Sequence, residues 1–349
     1  MGSARTGRRG AQGADRKSDP YAATAATLRA ALVREITAGG GLSDPAWRAA
    51  FETVPRHVFV PHYYEAGGYG SPSGAAVYER LGRHDPDPAR RARWLAGVYA
   101  DAPLATRVRD GELVSSSSQP SLMARMLEAL EVRDGDSVLE IGTGTGYNAA
   151  LLAHRLGDDR VTTVDIDPVI TDTAREHLAT AGYHPAVVVG DGALGCPSCA
   201  PFDRIIATCA VATLPPAWLG QCRAGALILA PLATGLVVLR VADAGHGEGR
   251  FLATPAYFVP LRGAEPPPPV STKGLPSRPL LDDSFRFLLN VVTARMDPLE
   301  ALALWEHEGR PGRERYGVTV RERRQWAWLD DPEGTYAWTL GPLHAEQAP

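Results

Sequence analysis

Through the middle of the chain, short apolar bursts alternate with stretches of helical spacing. Residues 137–141, 161–164, 186–189, 204–209, 226–230 and 236–241 read as strands. Between the first two, residues 147–156 keep the helical period, and Asp167-Pro168 opens a second helix that closes near Gly182. Strands alternating with helices of about 10–15 residues predict βαβ units and a largely parallel sheet.

The flanks read differently. Residues 21–39 carry Ala22, Leu28, Leu32 and Ile36 at helical spacing and end in glycines, and Ser43-Asp44-Pro45 starts a second, short helix. Residues 62–93 are rich in Gly, Pro, Tyr and charge, which predicts a long surface excursion. Residues 263–269 hold four consecutive prolines and read as a linker. Beyond it, Asp297, Pro298 and Glu300 form a capped helix start, and residues 318–329 and 335–340 read as two strands around a turn at 331–334. The expected organisation is a disordered tail (1–20), an N-terminal helical region with an inserted loop (21–114), a nucleotide-type α/β domain (115–262), the linker (263–269) and an α+β extension (270–349) suited to substrate docking.

Composition narrows the classes. The chain has 349 residues and a formal net charge of −4, so no global basic field gathers nucleic acid. All but two of its 36 basic residues are arginine, the exceptions being Lys17 and Lys273. No apolar run approaches the ~18–20 residues of a membrane span, and the N-terminus lacks the apolar core of a secretory signal. Four cysteines in a chain of this length make no disulfide framework. These features predict a cytoplasmic protein with neither nucleic-acid nor membrane partners. Cys196 and Cys199 form a C-x-x-C without a second close pair, so no metal site is expected. Oligomeric state is left open.

The candidate chemistry lies in residues 138–147. Glu140 precedes Gly142-Thr143-Gly144-Thr145-Gly146-Tyr147, a G-x-G-x-G between a strand and a helix. A dinucleotide fingerprint needs a third glycine one residue later, where Tyr147 stands. Glycines at this junction let backbone approach a ligand, and the helix start favours negative charge. The next strand ends at Asp165-Ile166, whose carboxylate can take the two ribose hydroxyls of a nucleoside. A third ends at Gly190-Asp191-Gly192, where Asp191 can reach an adenine amino group.

Three such signals at three successive strand ends resemble the class I (Rossmann-like) S-adenosylmethionine-dependent methyltransferases. The resemblance implies an α/β fold with an N-terminal helical lead-in and a small C-terminal α+β extension. It implies S-adenosyl-L-methionine as cofactor, with S-adenosyl-L-homocysteine as product. The cofactor contacts would be Glu140, Gly142, Thr143, Gly144, Gly146, Tyr147, Asp165, Ile166, Asp191 and Gly192.

Upstream, Ser115-Ser116-Ser117-Ser118-Gln119-Pro120 precedes a helix with Leu122, Met126, Leu127 and Leu130 on one face. With Val54-Pro55-Arg56, Phe59-Val60-Pro61, residues 201–206 and Phe258-Val259-Pro260, this is similar to the protein-L-isoaspartate O-methyltransferase family. The resemblance implies that Ser118 is the catalytic serine and that Ser116, Ser117 and Gln119 bind substrate. Ser116-Ser117 replaces the family's Thr-Ile, and Asp165 stands in place of its usual Glu. The serine run and the Trp-rich C-terminus also look like a branch that accompanies biosynthesis of ribosomally made, modified peptides such as lanthipeptides and graspetides. That branch implies esterification of an ordinary aspartate in a modified precursor peptide, leading to aspartimide and isoaspartate. The alternative is repair of isoaspartyl residues in damaged proteins. Trp326, Trp328 and Trp338, beside Arg321, Arg323 and Arg324, read as core more than as a docking surface.

Overall fold

The computed structural model describes residues 19–67, 77–109, 112–263, 269–293 and 295–341. Most of the expected tail and of the expected proline linker lies outside the described residues. From the N-terminus the elements are α1 (Ala22–Ala38), α2 (Pro45–Thr53), α3 (Arg56–Phe59), β1 (His62–Gly67), β2 (Val77–Gly82), α4 (Pro88–Val98), β3 (Leu104–Arg109), β4 (Glu112–Ser117) and α5 (Pro120–Ala129). The α/β core follows as β5 (Val138–Ile141), α6 (Tyr147–Leu156), β6 (Val161–Asp165), α7 (Pro168–Ala181), β7 (Ala186–Val189), β8 (Phe202–Ala207), α8 (Pro216–Gly220), β9 (Cys222–Leu232), β10 (Gly235–Asp243) and β11 (His246–Pro255). The chain finishes with α9 (Asp283–Val291), α10 (Pro298–His307), β12 (Tyr316–Arg321), β13 (Arg324–Leu329) and β14 (Ala337–Thr339).

Four helices share one start signal. Asp44, Asp87, Asp167 and Asp297 each precede a proline, and each carboxylate accepts the N–H of the residue after that proline, at 2.7–2.9 Å. Proline needs no donor partner at the first helical position, and each Asp cap contributes about 1 kcal/mol.

A ten-stranded sheet runs in the order β14-β13-β12-β11-β10-β9-β8-β5-β6-β7. From β9 to β7 neighbouring strands are parallel, and from β9 to β14 they are antiparallel. The four residues of β5 are buried on both faces, as a central parallel strand requires. One face packs under α1, α2 and α5, with Trp47, Phe51, Leu127 and Leu151 in its core. The other packs under α8, α9 and α10, around Ile205, Trp218, Val237, Phe285 and Trp305.

Three expectations change. The surface excursion at 62–93 contains β1, β2 and α4, and the N-terminal region is not purely helical: β2-β1-β3-β4 form a second, antiparallel sheet. Tyr63 and Leu81 sit opposite each other in that hairpin, 1% and 0% exposed. Glu65 and Glu79 stand on the same face as those two residues, so no apolar alternation marks the strands. Residues 318–329 are not one strand but the hairpin β12–β13, with Arg321 opposite Arg324 and Glu322 at φ +56 in its two-residue turn. The strands of the C-terminal extension also continue the main sheet, β12 pairing with β11 from Gly317 to Arg321, where a separate α+β unit was expected. The connecting strand β11 escaped notice because Gly247, Gly249 and Arg250 dilute its apolar pattern.

Candidate active site

The strand order reverses at β5, which has β6 on one side and β8 on the other, so a crevice opens at the carboxyl ends of these strands. Gly142 leaves β5 at φ +96, and a Cβ there would lie 2.8 Å from Thr208 Oγ1. Gly146, at φ +85, packs under Ala174 and Leu178. Between them Gly144 faces the crevice, where an added Cβ would meet only the Ser116 carbonyl oxygen, at 3.7 Å. The loop therefore forms an open cradle, roofed by β4.

The cleft is lined by this loop, by Ser115 to Ser118, by Asp165 and Ile166, by Gly192, and by Val259 to Arg262. The cleft and its open mouth together enclose about 830 Å³ of space. Residues 259–261 are drawn across it as a strap, since Ala210 N–H donates to the Val259 carbonyl and Leu261 N–H to the Ala210 carbonyl.

Asp165 is 6% exposed at the end of β6. Its Oδ2 accepts the Gly144 N–H at 3.3 Å, and its Oδ1 accepts the Asp167 N–H at 3.1 Å and Arg262 Nη2 at 2.5 Å. Arg107 and Arg262 both pair with Asp167, at 3.2 and 3.5 Å. Ile166 lines the cleft, half-exposed. A Cβ at Gly192 would lie 2.8 Å from an Ile141 methyl and 3.0 Å from a Leu261 methyl, so a side chain there would have to displace them. Asp191 follows Gly190 just outside the cleft lining, its Oδ1 accepting the Ala193 N–H at 2.9 Å and its Oδ2 left without a bond among the described residues.

Beneath the glycine loop, Glu140 is 1% exposed and accepts Asn148 Nδ2 at 2.8 Å and Thr163 Oγ1 at 2.6 Å. Burial pushes its carboxyl up to about 7, against the pull of those two hydrogen bonds. The Thr143 hydroxyl lies 2.8 Å from that of Thr163, so it braces the network from inside. Tyr147 packs against Phe51 and Phe59 with the Arg56 guanidinium over its ring, 5.9 Å from the centroid.

The serine run lies on the edge strand β4 and the turn into α5. Ser117 is buried, its Oγ receiving Arg56 Nη2 at 3.3 Å. Ser116 and Ser118 are half-buried, and their hydroxyls have no partner among the described residues. Gln119 is held away from the cleft by Asp101, which accepts its Nε2 at 3.1 Å and the Ser121 N–H at 2.8 Å. Arg56, fully buried, ties this turn to the loop after α4: it donates to the carbonyls of Val98, Ala100, Ala102 and Ser118. Burial pulls its guanidinium down to about 10, still charged at neutral pH. His57, 2% exposed, faces away, between Tyr99 at 2.7 Å and Asp19 at 2.6 Å.

Sequence reasoning missed Asn148, Met123, Thr208 and Arg262 as lining residues and Arg56 as the clamp. Arg262 stands two residues after Phe258-Val259-Pro260 and Arg56 ends Val54-Pro55-Arg56, so their positions were signalled though their contacts were not. The residues present fit a nucleoside methyl donor. The cradle is open at Gly144, and a carboxylate stands at the ribose end.

A parallel sheet with this loop at its switch point and an acidic residue closing the next strand defines a class I S-adenosylmethionine-dependent methyltransferase. The sequence matches the model of the family described as protein-L-isoaspartate(D-aspartate) O-methyltransferase over residues 89–265. The chain belongs to that family. It is 34% identical to the protein-L-isoaspartate O-methyltransferase of Ignicoccus hospitalis over 235 residues, covering 66% of this chain and 95% of the relative. It is 33% identical to protein-L-isoaspartate O-methyltransferase 1 of Nitrosospira multiformis, covering 68% of this chain and 87% of the relative. A solved protein-L-isoaspartate O-methyltransferase structure superposes with a TM-score of 0.58, covering 89% of this chain and 98% of its own at 20% identity, which shows the common fold. The protein is thus a carboxyl methyltransferase that uses S-adenosylmethionine. Among the described residues no helix is long and apolar enough to cross a membrane.

Proposed function

We propose that the enzyme esterifies the free carboxylate of an isoaspartyl residue in a polypeptide. The observation that carries this reading is the serine-bearing strand end, Ser116 to Ser118, opening into the same cleft as the glycine cradle. A carboxylate with a reference pKa near ~4 is ionised at pH 7 and needs no general base. When bound, S-adenosylmethionine supplies a methyl group activated by its sulfonium. The chain's own work is alignment and exclusion of water. Ser118 donates a hydrogen bond that orients the substrate carboxylate, Arg56 fixes the turn that presents Ser118, and the strap at 259–262 shields the cleft. Asp165 and Ile166 hold the ribose end, and Gly142, Gly144 and Gly192 give backbone access.

A second reading rests on the hairpin β1–β2, which falls outside the family match. The residues beyond 265 also fall outside it, but the solved protein-L-isoaspartate O-methyltransferase structure covers 89% of this chain and so shares part of them. The hairpin suits a dedicated biosynthetic peptide whose ordinary aspartate is esterified and then closes to aspartimide with loss of methanol. Mass spectrometry of the enzyme with S-adenosylmethionine separates the two. A generic isoaspartyl peptide gaining one methyl group supports the first. A ribosomally made precursor that gains a methyl group and then loses methanol, with the generic peptide untouched, supports the second. Neither substrate modified refutes both.

A further inference from the structure

Cys196-Pro197-Ser198-Cys199 makes one turn between the Gly192 wall of the cleft and the start of β8. The methyl transfer uses neither thiol. Cys199 N–H donates to the Cys196 carbonyl at 3.0 Å, which closes the turn. A turn of this kind holds its first and last Cα within about 7 Å, and a disulfide spans about 4.4–6.8 Å. Both sulfurs also gather at one hydroxyl: Ser198 Oγ is 3.6 Å from Cys196 Sγ and 3.9 Å from Cys199 Sγ. Gln221 braces the chain behind them, accepting the Cys196 N–H at 2.7 Å and donating to the Leu194 carbonyl at 2.7 Å. The backbone therefore presents the two thiols to each other before any bond joins them.

The two are not equivalent. Cys196 is 3% exposed, whereas Cys199 is half-buried beside the exposed Pro197 and Ser198. Burial, with the adjoining Cys199 thiol, pushes the Cys196 thiol up, so it stays protonated while Cys199 meets solvent. The remaining cysteines, Cys209 and Cys222, are pushed up to about 12 by burial and are poor nucleophiles. Metal binding fits the pair less well. Two sulfurs leave a tetrahedral zinc site half-built, and among the described residues no group of three or more His, Cys, Asp and Glu converges to complete one.

We propose that Cys196 and Cys199 are a redox-active dithiol, a site of reversible covalent modification that closes to a disulfide by exchange with a small-molecule disulfide of the glutathione type. The Cys199 thiolate attacks one sulfur of that disulfide and releases the first small thiol. Cys196 then gives up its proton to water and attacks Cys199 Sγ, expelling the second small thiol. The two protein thiols lose two protons and two electrons, and the small disulfide takes up both and becomes two thiols.

Peptide mapping of the intact, natively folded protein tests the proposal, after exposure to millimolar oxidised glutathione, acid quenching and alkylation in denaturant. Trypsin separates the two pairs, because Cys196 and Cys199 lie in the fragment 176–204 and Cys209 and Cys222 in the fragment 205–223. Expected is fragment 176–204 mostly unalkylated and ~2 Da lighter than its dithiol, the loss of two hydrogens, and restored by dithiothreitol. Fragment 205–223 should remain fully alkylated. In Cys196→Ser the exchange should stop halfway, leaving Cys199 with one glutathione, ~305 Da heavier. Full alkylation of 176–204 in the wild-type protein would overturn the proposal. So would a persistent glutathione adduct without the internal disulfide, which would show that the sulfurs cannot meet. Equal oxidation of Cys209 and Cys222 would reduce the result to unselective damage and overturn it too. If Cys196→Ser fails to fold, the wild-type map alone decides, and if it folds but carries no adduct, the route through Cys199 is overturned.

Discussion

Glu140 should make the protein less stable as pH rises, the reverse of what a salt-bridged carboxylate does. In the folded chain burial holds its carboxyl near about 7 against an ordinary 4.5, with the Asp165 charge adding to the shift. The neighbouring Cys209 thiol, pushed up to about 12 by burial, stays neutral over this range. Between the two carboxyl values the native state holds a proton that the unfolded chain has released. Unfolding then gives off a proton, and stability falls as pH climbs through that window, levelling above it. At about 1.4 kcal/mol per pKa unit, the loss between pH 4.5 and pH 7.5 comes to about 3 kcal/mol. Urea unfolding of wild-type and Glu140→Gln, at intervals from pH 5 to pH 8, isolates this contribution. The variant keeps the shape but cannot ionise, so its stability relative to wild-type should rise across the range by about 2–3 kcal/mol. Parallel curves, differing by a constant within about 0.5 kcal/mol, would refute the reasoning. They would mean that the carboxyl keeps one charge state throughout, through relaxation of the Thr163 and Asn148 contacts.

Three further outcomes follow from the site. Arg56→Met should cost about 3–5 kcal/mol in chemical denaturation, since it removes the donors serving four backbone carbonyls and Ser117; a loss below about 1 kcal/mol would show that the clamp is dispensable. Ser118→Ala should lower kcat/KM for the peptide carboxylate by about 10-fold or more while leaving the Kd for S-adenosylhomocysteine unchanged, and a parallel loss of cofactor affinity would contradict its substrate role. Gly192→Ala should destabilise the protein by about 1–3 kcal/mol and weaken S-adenosylhomocysteine binding, because its Cβ meets Ile141 and Leu261 inside van der Waals distance; unaltered melting and binding would count against that close approach.

What was legible in the sequence is what depends on short-range spacing. The glycine loop, the strand ends at Asp165 and Gly192, and the Asp-Pro helix starts are each defined within a few residues, and the structure forms each of them. What was not legible depends on partners far along the chain. Nothing in Val54-Pro55-Arg56 tells that the guanidinium reaches residues 98–102 and 117–118. That one oxygen of the Asp191 carboxylate also accepts the Ala193 N–H, a local bond typical of Asp, was not read from the motif. Gln119 looked like a substrate contact by adjacency to Ser118, but the turn directs it toward Asp101. The β1–β2 hairpin was hidden because Tyr63 and Leu81 share their face with Glu65 and Glu79, whose charges are met by Arg93 and Arg90 of α4, far along the chain.

The sheet topology also decides how the two substrate readings can be told apart. Were residues 270–349 a detachable appendage, removing them would show whether they serve a dedicated substrate. They are not detachable. β12 covers the edge of β11, Phe287 packs against Phe251 at 4.9 Å and Tyr316 at 5.2 Å, and Arg313 reaches back to the Thr234 carbonyl at 3.1 Å. Each large apolar side chain exposed by truncation costs about 1.5–3 kcal/mol, and several would be exposed together with an unpaired strand edge. Such a deletion would report on folding whichever substrate is right. The same continuity means that Leu232 and Pro231 of β9 sit in one sheet with the C-terminal strands while Val211, beside the strap, bridges to Leu232. The extension therefore buttresses the far side of the site, and its contribution to specificity has to be read by offering the intact enzyme competing substrates.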